Sequence, residues 1–184
     1  LGLQAAPAGL AFLPTKSIRG SDISRGPQFS SVKCPFTGDE LLAVKAIAPD
    51  VAILHVQRAD RQGNAHAWGN FGVMKEAAFA AKKVILTCEE IIDHEVILSD
   101  PNRTVIPGFL VASVVHQPFG SHPSPAQGYT RRDDFFYFEY HKESRSREGF
   151  EKWLQTWVFS VADHREFLER LGGDRVKRLV PQES

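Results

Sequence analysis

The spacing of hydrophobic positions changes along the chain, and each change marks a different kind of element. Residues 1–38 hold no sustained period, because Pro7, Pro14, Gly20, Gly26, Pro27, Pro35 and Gly38 interrupt it, and this stretch reads as ordered loop with short strands. From Glu40 onward, Leu41, Leu42, Val44 and Ile47 lead to Pro49-Asp50. Val51-Ala52-Ile53-Leu54-His55-Val56 then runs apolar and partly β-branched, the pattern of a buried strand. Ala65–Trp68 is placed to pair back on it as a hairpin, with Gly63 supplying positive φ in the connection Arg58–Asn64. Met74, Ala77, Ala78 and Ala81 recur at i, i+3, i+4 and i+7 and predict an amphipathic helix within Phe71–Lys82, its small residues suited to close packing on a sheet. The all-apolar Val84–Thr87 predicts a strand. Val111–Val115, closed by Pro118 and Gly120, predicts another buried one. Strand, helix and strand in succession define an α/β domain with a right-handed connection and at least three central strands.

After Arg131 the period becomes helical and aromatic. Phe135, Phe136, Phe138 and Tyr140 are followed by Phe150, Trp153, Leu154, Trp157 and Val158. Asp163 and Glu166 have the D-x-x-E spacing that caps a helix start, and Gly172-Gly173 follows Leu171 as a stop. The expectation is one α/β domain over 1–173, a sheet flanked by helices with a helical, aromatic-rich C-terminal region, followed by a mobile tail over 174–184. The chain opens at Leu1 without a methionine, and a missing N-terminal portion is expected.

Composition adds mainly exclusions. The 184 residues are 42% hydrophobic and 24% charged, an ordinary globular balance. Lysine plus arginine equal aspartate plus glutamate at 22 each, so no net field draws the chain to nucleic acid or to an anionic membrane, and neither is expected as a partner. No apolar run approaches the roughly 20 residues that span a bilayer. Two cysteines, Cys34 and Cys88, are too few for a disulfide framework, which points to a reducing cytoplasm. Cys88, at the end of an apolar strand, reads as a small core hydrophobe rather than a nucleophile. No dinucleotide or P-loop glycine pattern is present. His94-Glu95 opens like H-E-x-x-H, but Leu98 stands where the second histidine belongs, and no metal is assigned.

The candidate chemistry gathers where Val51–Val56 gives way to Arg58, Asp60, Gly63 and Asn64. Ligands of open α/β sheets bind beyond strand ends, which makes Arg58 the natural donor to an anionic group. The plain alternative is a turn in which Asp60 accepts amide hydrogens and Arg58 pairs with it. His122, in the loop Pro118–Pro123, is placed either as a donor or base or as an ordinary surface histidine. Asp60, Gly63 and Gly120 are assigned to turn geometry.

Several segments in order resemble the alpha subunit of family I coenzyme A-transferases, in particular the glutaconate coenzyme A-transferase type. They are Cys34-Pro35-Phe36-Thr37-Gly38, Pro49-Asp50-Val51-Ala52 through Arg58-Ala59-Asp60 and Gly63-Asn64, Ala80–Ile91, Ile106–Val111 and Pro118–Pro123. Gly2–Ala6 and Phe12-Leu13-Pro14 also resemble a branch that hydrolyses a ring within a coenzyme A thioester in steroid breakdown. The resemblance implies a sheet-and-helix fold of coenzyme A-transferase architecture, a beta-subunit partner and an active site between the two subunits. It further implies a nucleophilic glutamate on the beta subunit, so that no catalytic residue is identifiable in this chain and the chain alone is inactive. Coenzyme A enters as a substrate moiety, with acyl-coenzyme A and carboxylic acids as substrates and no permanently bound cofactor. Arg58, Asn64 and His122 are the substrate-side candidates. A non-enzymatic ligand sensor on a similar fold is the alternative outside enzymology.

Overall fold

A computed structural model describes residues 1–181. The opening quarter makes a short helix, α1 (Gly2–Ala5), and three antiparallel strands, β1 (Phe12–Thr15), β2 (Phe29–Lys33) and β3 (Glu40–Lys45), in the order β1-β3-β2. The prolines and glycines that broke the period sit between these short strands. Then follow β4 (Val51–Ala59), β5 (Ala65–His66), α2 (Met74–Ala80), β6 (Lys83–Ile91), α3 (His94–Ser99), β7 (Thr104–Ile106) and β8 (Val111–His116). They build a five-stranded sheet of order β7-β5-β4-β6-β8, in which β4, β6 and β8 run parallel and β5 and β7 pair antiparallel.

Parallel pairing explains where the strands stop. The apolar run ends at Val56, yet β4 continues to Ala59 because it stays in register with β6 as far as Ala59 opposite Ile91. The hairpin expected around Gly63 forms, with Arg58 opposite His66 and Ala59 opposite Ala65. Its connection is shorter than the apolar pattern implied, Asp60–Asn64. Ala52, Val56, Val84, Leu86 and Cys88 point to one face and pack with Ala78 of α2, whose small side chain lets the helix lie close. The opposite face is less covered: Ile53 is 71% exposed. The strand expected to be buried at Val111–Val115 is an edge strand, with Ala112, Ser113, Val115 and His116 exposed.

The aromatic segment folds as α4 (Asp134–Glu143), α5 (Arg147–Leu154), a π-helical turn over Gln155–Phe159, α6 (His164–Leu171) and α7 (Gly173–Leu179). Phe136 sits edge-on to Trp153 and Trp157, both at 4.9 Å between ring centres, an arrangement that the aromatic quadrupole favours. Asp163 accepts from the Glu166 amide at 2.9 Å as the N-cap of α6, and Gly172 (φ 94°) ends it. The tail expected over 174–184 departs from this structure at its start. Residues Gly173–Leu179 form α7, because Val176 and Leu179 are spaced to pack on the aromatic cluster. Residues 182–184 lie outside the described part. Among the described residues, no helix is long and apolar enough to cross a membrane.

Candidate functional site

Arg58 and Glu90 are cross-strand partners near the carboxyl ends of β4 and β6, and this register brings them together. Arg58 Nε donates to Glu90 Oε2 at 2.9 Å and lies 2.8 Å from the Tyr129 hydroxyl, which itself donates to the same Glu90 oxygen. The hydrogen bond from Tyr129 and the neighbouring guanidinium hold the Glu90 carboxyl below its usual range, against the effect of partial burial. Burial and the bond to Glu90 push the Tyr129 hydroxyl the other way, so it remains a protonated donor. The Arg58 guanidinium lies 5.7 Å from the centre of the Trp68 ring, with Arg103 at 6.0 Å from the same ring. Arg58 is therefore fixed through Nε, while its two terminal nitrogens have no hydrogen-bond partner among the described residues. The side chains of Arg58 and Glu90 are 36% and 44% exposed, so this fork is accessible.

The alternative pairing of Arg58 with Asp60 does not form. Asp60 is fully buried and its oxygens are taken: Oδ1 accepts from the Asn64 amide at 2.8 Å, and Oδ2 accepts from Asn64 Nδ2 at 2.8 Å and His94 Nδ1 at 2.7 Å. Asp60 thus accepts from both the backbone and the side chain of Asn64 across the turn. Asn64 Oδ1 accepts from the Gly108 amide at 2.9 Å, so Asn64 engages both ends of its side chain in bracing the turn against the segment before β8. Gly63 has φ 90°, and a Cβ there would stand 2.7 Å from Val111 Cβ, which makes glycine obligatory twice over.

His122 lies elsewhere. Its side chain is 3% exposed, with Nε2 3.0 Å from Asp133 Oδ2 and the ring 4.7 Å from Phe136. Burial lowers its basicity more than Asp133 restores it. Asp133 also receives Arg175 Nε at 2.7 Å and Nη2 at 3.0 Å, and it caps α4 through the Phe136 amide at 3.0 Å. Burial alone would raise this carboxyl; the bonds from Arg175, His122 and Phe136 outweigh it and hold it at about 2. The carboxylate partner that the sequence pattern did not locate for His122 is Asp133, inside the aromatic cluster and remote in character from an open site.

Gly120 closes the loop over the sheet, since a Cβ there would lie 2.8 Å from His55 Nδ1. His55 in turn meets Thr87 Oγ1 at 2.8 Å and the buried Glu89 at 2.9 Å, and the Phe119 amide donates to Glu89 at 2.8 Å. The sequence signal for this row was His55 and Glu89 set within or beside the apolar runs of the two strands. A cavity of about 660 Å³ opens beside it, walled by His55, Gln57, Trp68, Phe71, Ser124 and Arg131, so Trp68 is common to the cavity and to the Arg58 network. Cys88 is fully buried, and burial pushes its thiol up to about 11, as a core residue requires.

An α/β sheet with accessible polar groups at its carboxyl edge is the expected setting for ligand chemistry, and the chain's relatives agree with its geometry. Residues 3–117 match the model of the Coenzyme A transferase family, and the chain belongs to that family. It is 42% identical over 169 residues to one of the subunits of the 3-oxoadipate CoA-transferase of Pseudomonas knackmussii, covering 91% of this chain and 59% of that protein. The crystal structure of glutaconate coenzyme A-transferase from Acidaminococcus fermentans superposes with a TM-score of 0.90 at 36% identity, covering 98% of this chain and 62% of that one. A cholesterol ring-cleaving hydrolase IpdA subunit of Rhodococcus jostii is 27% identical over 172 residues, with 88% of this chain and 58% of that protein covered. The chain spans about three fifths of the length of these relatives.

Proposed function

We propose that this chain is the greater part of an alpha-type subunit of a coenzyme A-transferase acting on the thioester of a dicarboxylic acid, with the nucleophilic glutamate supplied by a beta subunit. The observation that carries the reading is the Arg58 fork, locked through Nε by Glu90 and Tyr129, with two terminal nitrogens that have no hydrogen-bond partner among the described residues. A guanidinium held in this way offers parallel donors to a carboxylate. Two of the relatives above bear the names of dicarboxylic acids, 3-oxoadipate and glutaconate. In such a substrate one carboxyl group is the thioester that reacts, and the other remains as the anion for Arg58. The partner's glutamate attacks the thioester carbonyl and expels the coenzyme A thiolate, leaving a mixed anhydride; the thiolate then attacks the glutamyl carbonyl of that anhydride, forming a glutamyl-coenzyme A thioester and releasing the first acid as its carboxylate. A second carboxylate then receives coenzyme A and frees the glutamate. Coenzyme A is thus a substrate moiety and no resident cofactor takes part.

The test is a transfer assay on the full-length chain assembled with its beta subunit, comparing dicarboxylic with monocarboxylic acceptors of equal length. A preference for dicarboxylic acids that Arg58→Gln abolishes is the expected result. Equal rates with both acceptor types would remove the role of Arg58. Free thiol appearing without any acceptor acid would instead favour the ring-opening hydrolase branch, and absence of both activities would end the enzymatic reading.

A further inference from the structure

Arg58 is anchored through a single N–H. Its Nε meets Glu90 Oε2 at 2.9 Å and the Tyr129 hydroxyl at 2.8 Å. One N–H fixes a direction but not the rotation of the guanidinium plane about it, so the tilt of that plane is left to whatever lies against its face. The group against the face is the indole of Trp68, its ring centre 5.7 Å from Arg58 Cζ. The same ring stands 6.3 Å from the ring of Tyr129, so it backs both Arg58 and the phenol at Nε. A second guanidinium, that of Arg103, lies 6.0 Å from it and is paired with Asp100 at 2.8 Å. A π face can set the orientation of a cation only if the ring itself is held.

Gln57 holds it. β5 ends at His66, and Trp68 lies past that end, with no strand partner for its backbone among the described residues. Gly69 at φ 91° then turns the chain away. Gln57, one residue before Arg58 on β4 and only 7% exposed, stands in for the missing strand. Its Nε2 donates to the Trp68 carbonyl at 3.0 Å, and its Oε1 accepts from the Trp68 amide at 3.3 Å. One side-chain amide therefore satisfies both backbone groups of Trp68. Successive residues of β4 engage Trp68 twice, Gln57 at its backbone and Arg58 at its ring.

We propose that Gln57 and Trp68 are positioning residues for Arg58: Gln57 locks the Trp68 backbone, and the locked indole sets the plane in which the Arg58 terminal nitrogens meet the substrate carboxylate. The inference rests on the reading of Arg58 given above and deepens it. Selection for a second carboxylate on the substrate is then a property of three residues and not of the arginine alone. Paired donors match the two oxygens of a carboxylate only over a narrow range of orientations. A loosened ring therefore weakens the match without removing the charge.

The transfer assay on the full-length two-subunit enzyme tests this through one ratio, kcat/KM for a dicarboxylic acceptor over kcat/KM for a monocarboxylic acceptor of equal length. Trp68→Leu should lower the ratio by about tenfold, mainly through a raised KM for the dicarboxylic acid, the size expected for a lost cation–π contact in a partly desolvated site. Trp68→Phe, which keeps a ring, should restore most of it. Gln57→Leu, with the indole present but unclamped, should fall between the wild type and Trp68→Leu. Trp68 is half-buried, so its variants carry the test if Gln57→Leu fails to fold. An unchanged ratio in folded Trp68→Leu or Gln57→Leu, including equal losses with both acceptors, would overturn the proposal. So would a Trp68→Phe enzyme as impaired as Trp68→Leu. In either case a wild type that prefers dicarboxylic acids, and loses the preference in Arg58→Gln, leaves the reading of Arg58 intact. A wild type with no such preference would bring down both.

Discussion

Two arginine–carboxylate pairs, each with a polar ring attached, behave as opposites in this molecule. Arg58 and Glu90 join Tyr129 at the sheet edge, with the pair 36% and 44% exposed. Arg175 and Asp133 join His122 under the aromatic helices, with Asp133 2% and Arg175 19% exposed. Asp133 receives both Nε and Nη2 of Arg175, whereas Glu90 receives only Nε of Arg58. The buried arginine is used up by its own chain, its Nη1 also meeting Glu139. The open one keeps its terminal nitrogens without hydrogen-bond partners among the described residues. Residue type therefore does not distinguish a packing element from a binding one; what distinguishes them is how many donors the fold leaves unmatched.

The contrast should break most visibly at Asp133. Asp133→Asn leaves Arg175 buried without its anion and should cost about 3–5 kcal/mol, seen as a large fall in Tm. The pH dependence has the same origin. The Asp133 carboxyl is depressed to about 2 when folded against an ordinary value of 3.8, so its contribution is fully present above pH 4. It is lost as pH falls toward 2, and roughly 2–3 kcal/mol of stability should disappear over that window in the wild type. In Asp133→Asn that acid limb should be flattened.

At the open pair the loss should appear in kinetics. Arg58→Gln should lower kcat/KM for a dicarboxylic thioester by roughly 10- to 100-fold, the value of a charge-assisted hydrogen bond. Its stability cost should stay within about 1 kcal/mol, as for other accessible ion pairs. Arg58→Lys should fall between the two with a raised KM, since a single ammonium lacks the paired donors. If Arg58→Gln proved as destabilising as Asp133→Asn, the distinction between the two networks would be lost.

Gly63→Ala tests the scaffold beneath the open site. The residue stands at φ 90° with Val111 in the way of any Cβ, and a cost of about 1–3 kcal/mol in stability is expected from chemical denaturation. The smallest effect is at the thiols. Cys34 is partly exposed and hydrogen bonds from Thr37 lower its pKa, whereas Cys88 is buried and pushed up to about 11. A thiol reagent at neutral pH should label one cysteine in the native protein and the second only after unfolding.

Much of the fold could be read from hydrophobic spacing. The strand at Val51, the hairpin about Gly63, the helix carrying Ala78 and the strands at Val84 and Val111 were all visible, because each buries a face whose period is local. The capped helix after Asp163 was visible for the same reason. The extent of β4 and β6 was not, since charged residues at Arg58 and Glu90 are held in the strands by pairing between segments 32 positions apart. Nor was α7, whose Val176 and Leu179 become meaningful only when an aromatic surface is there to receive them.

The same division runs through the site. Sequence alone determined the family, through the ordered segments from Cys34 to Pro123, and it pointed to a turn at Asp60 and Gly63, because carboxylate acceptors and positive φ are local requirements. Tertiary structure decided which polar groups remain free. It turned His122 into a buried partner of Asp133, bound Asn64 to Gly108, left the terminal nitrogens of Arg58 without hydrogen-bond partners among the described residues and joined His94 to Asp60. Those outcomes depend on hydrogen-bond partners brought together from distant positions, which only the packed chain specifies.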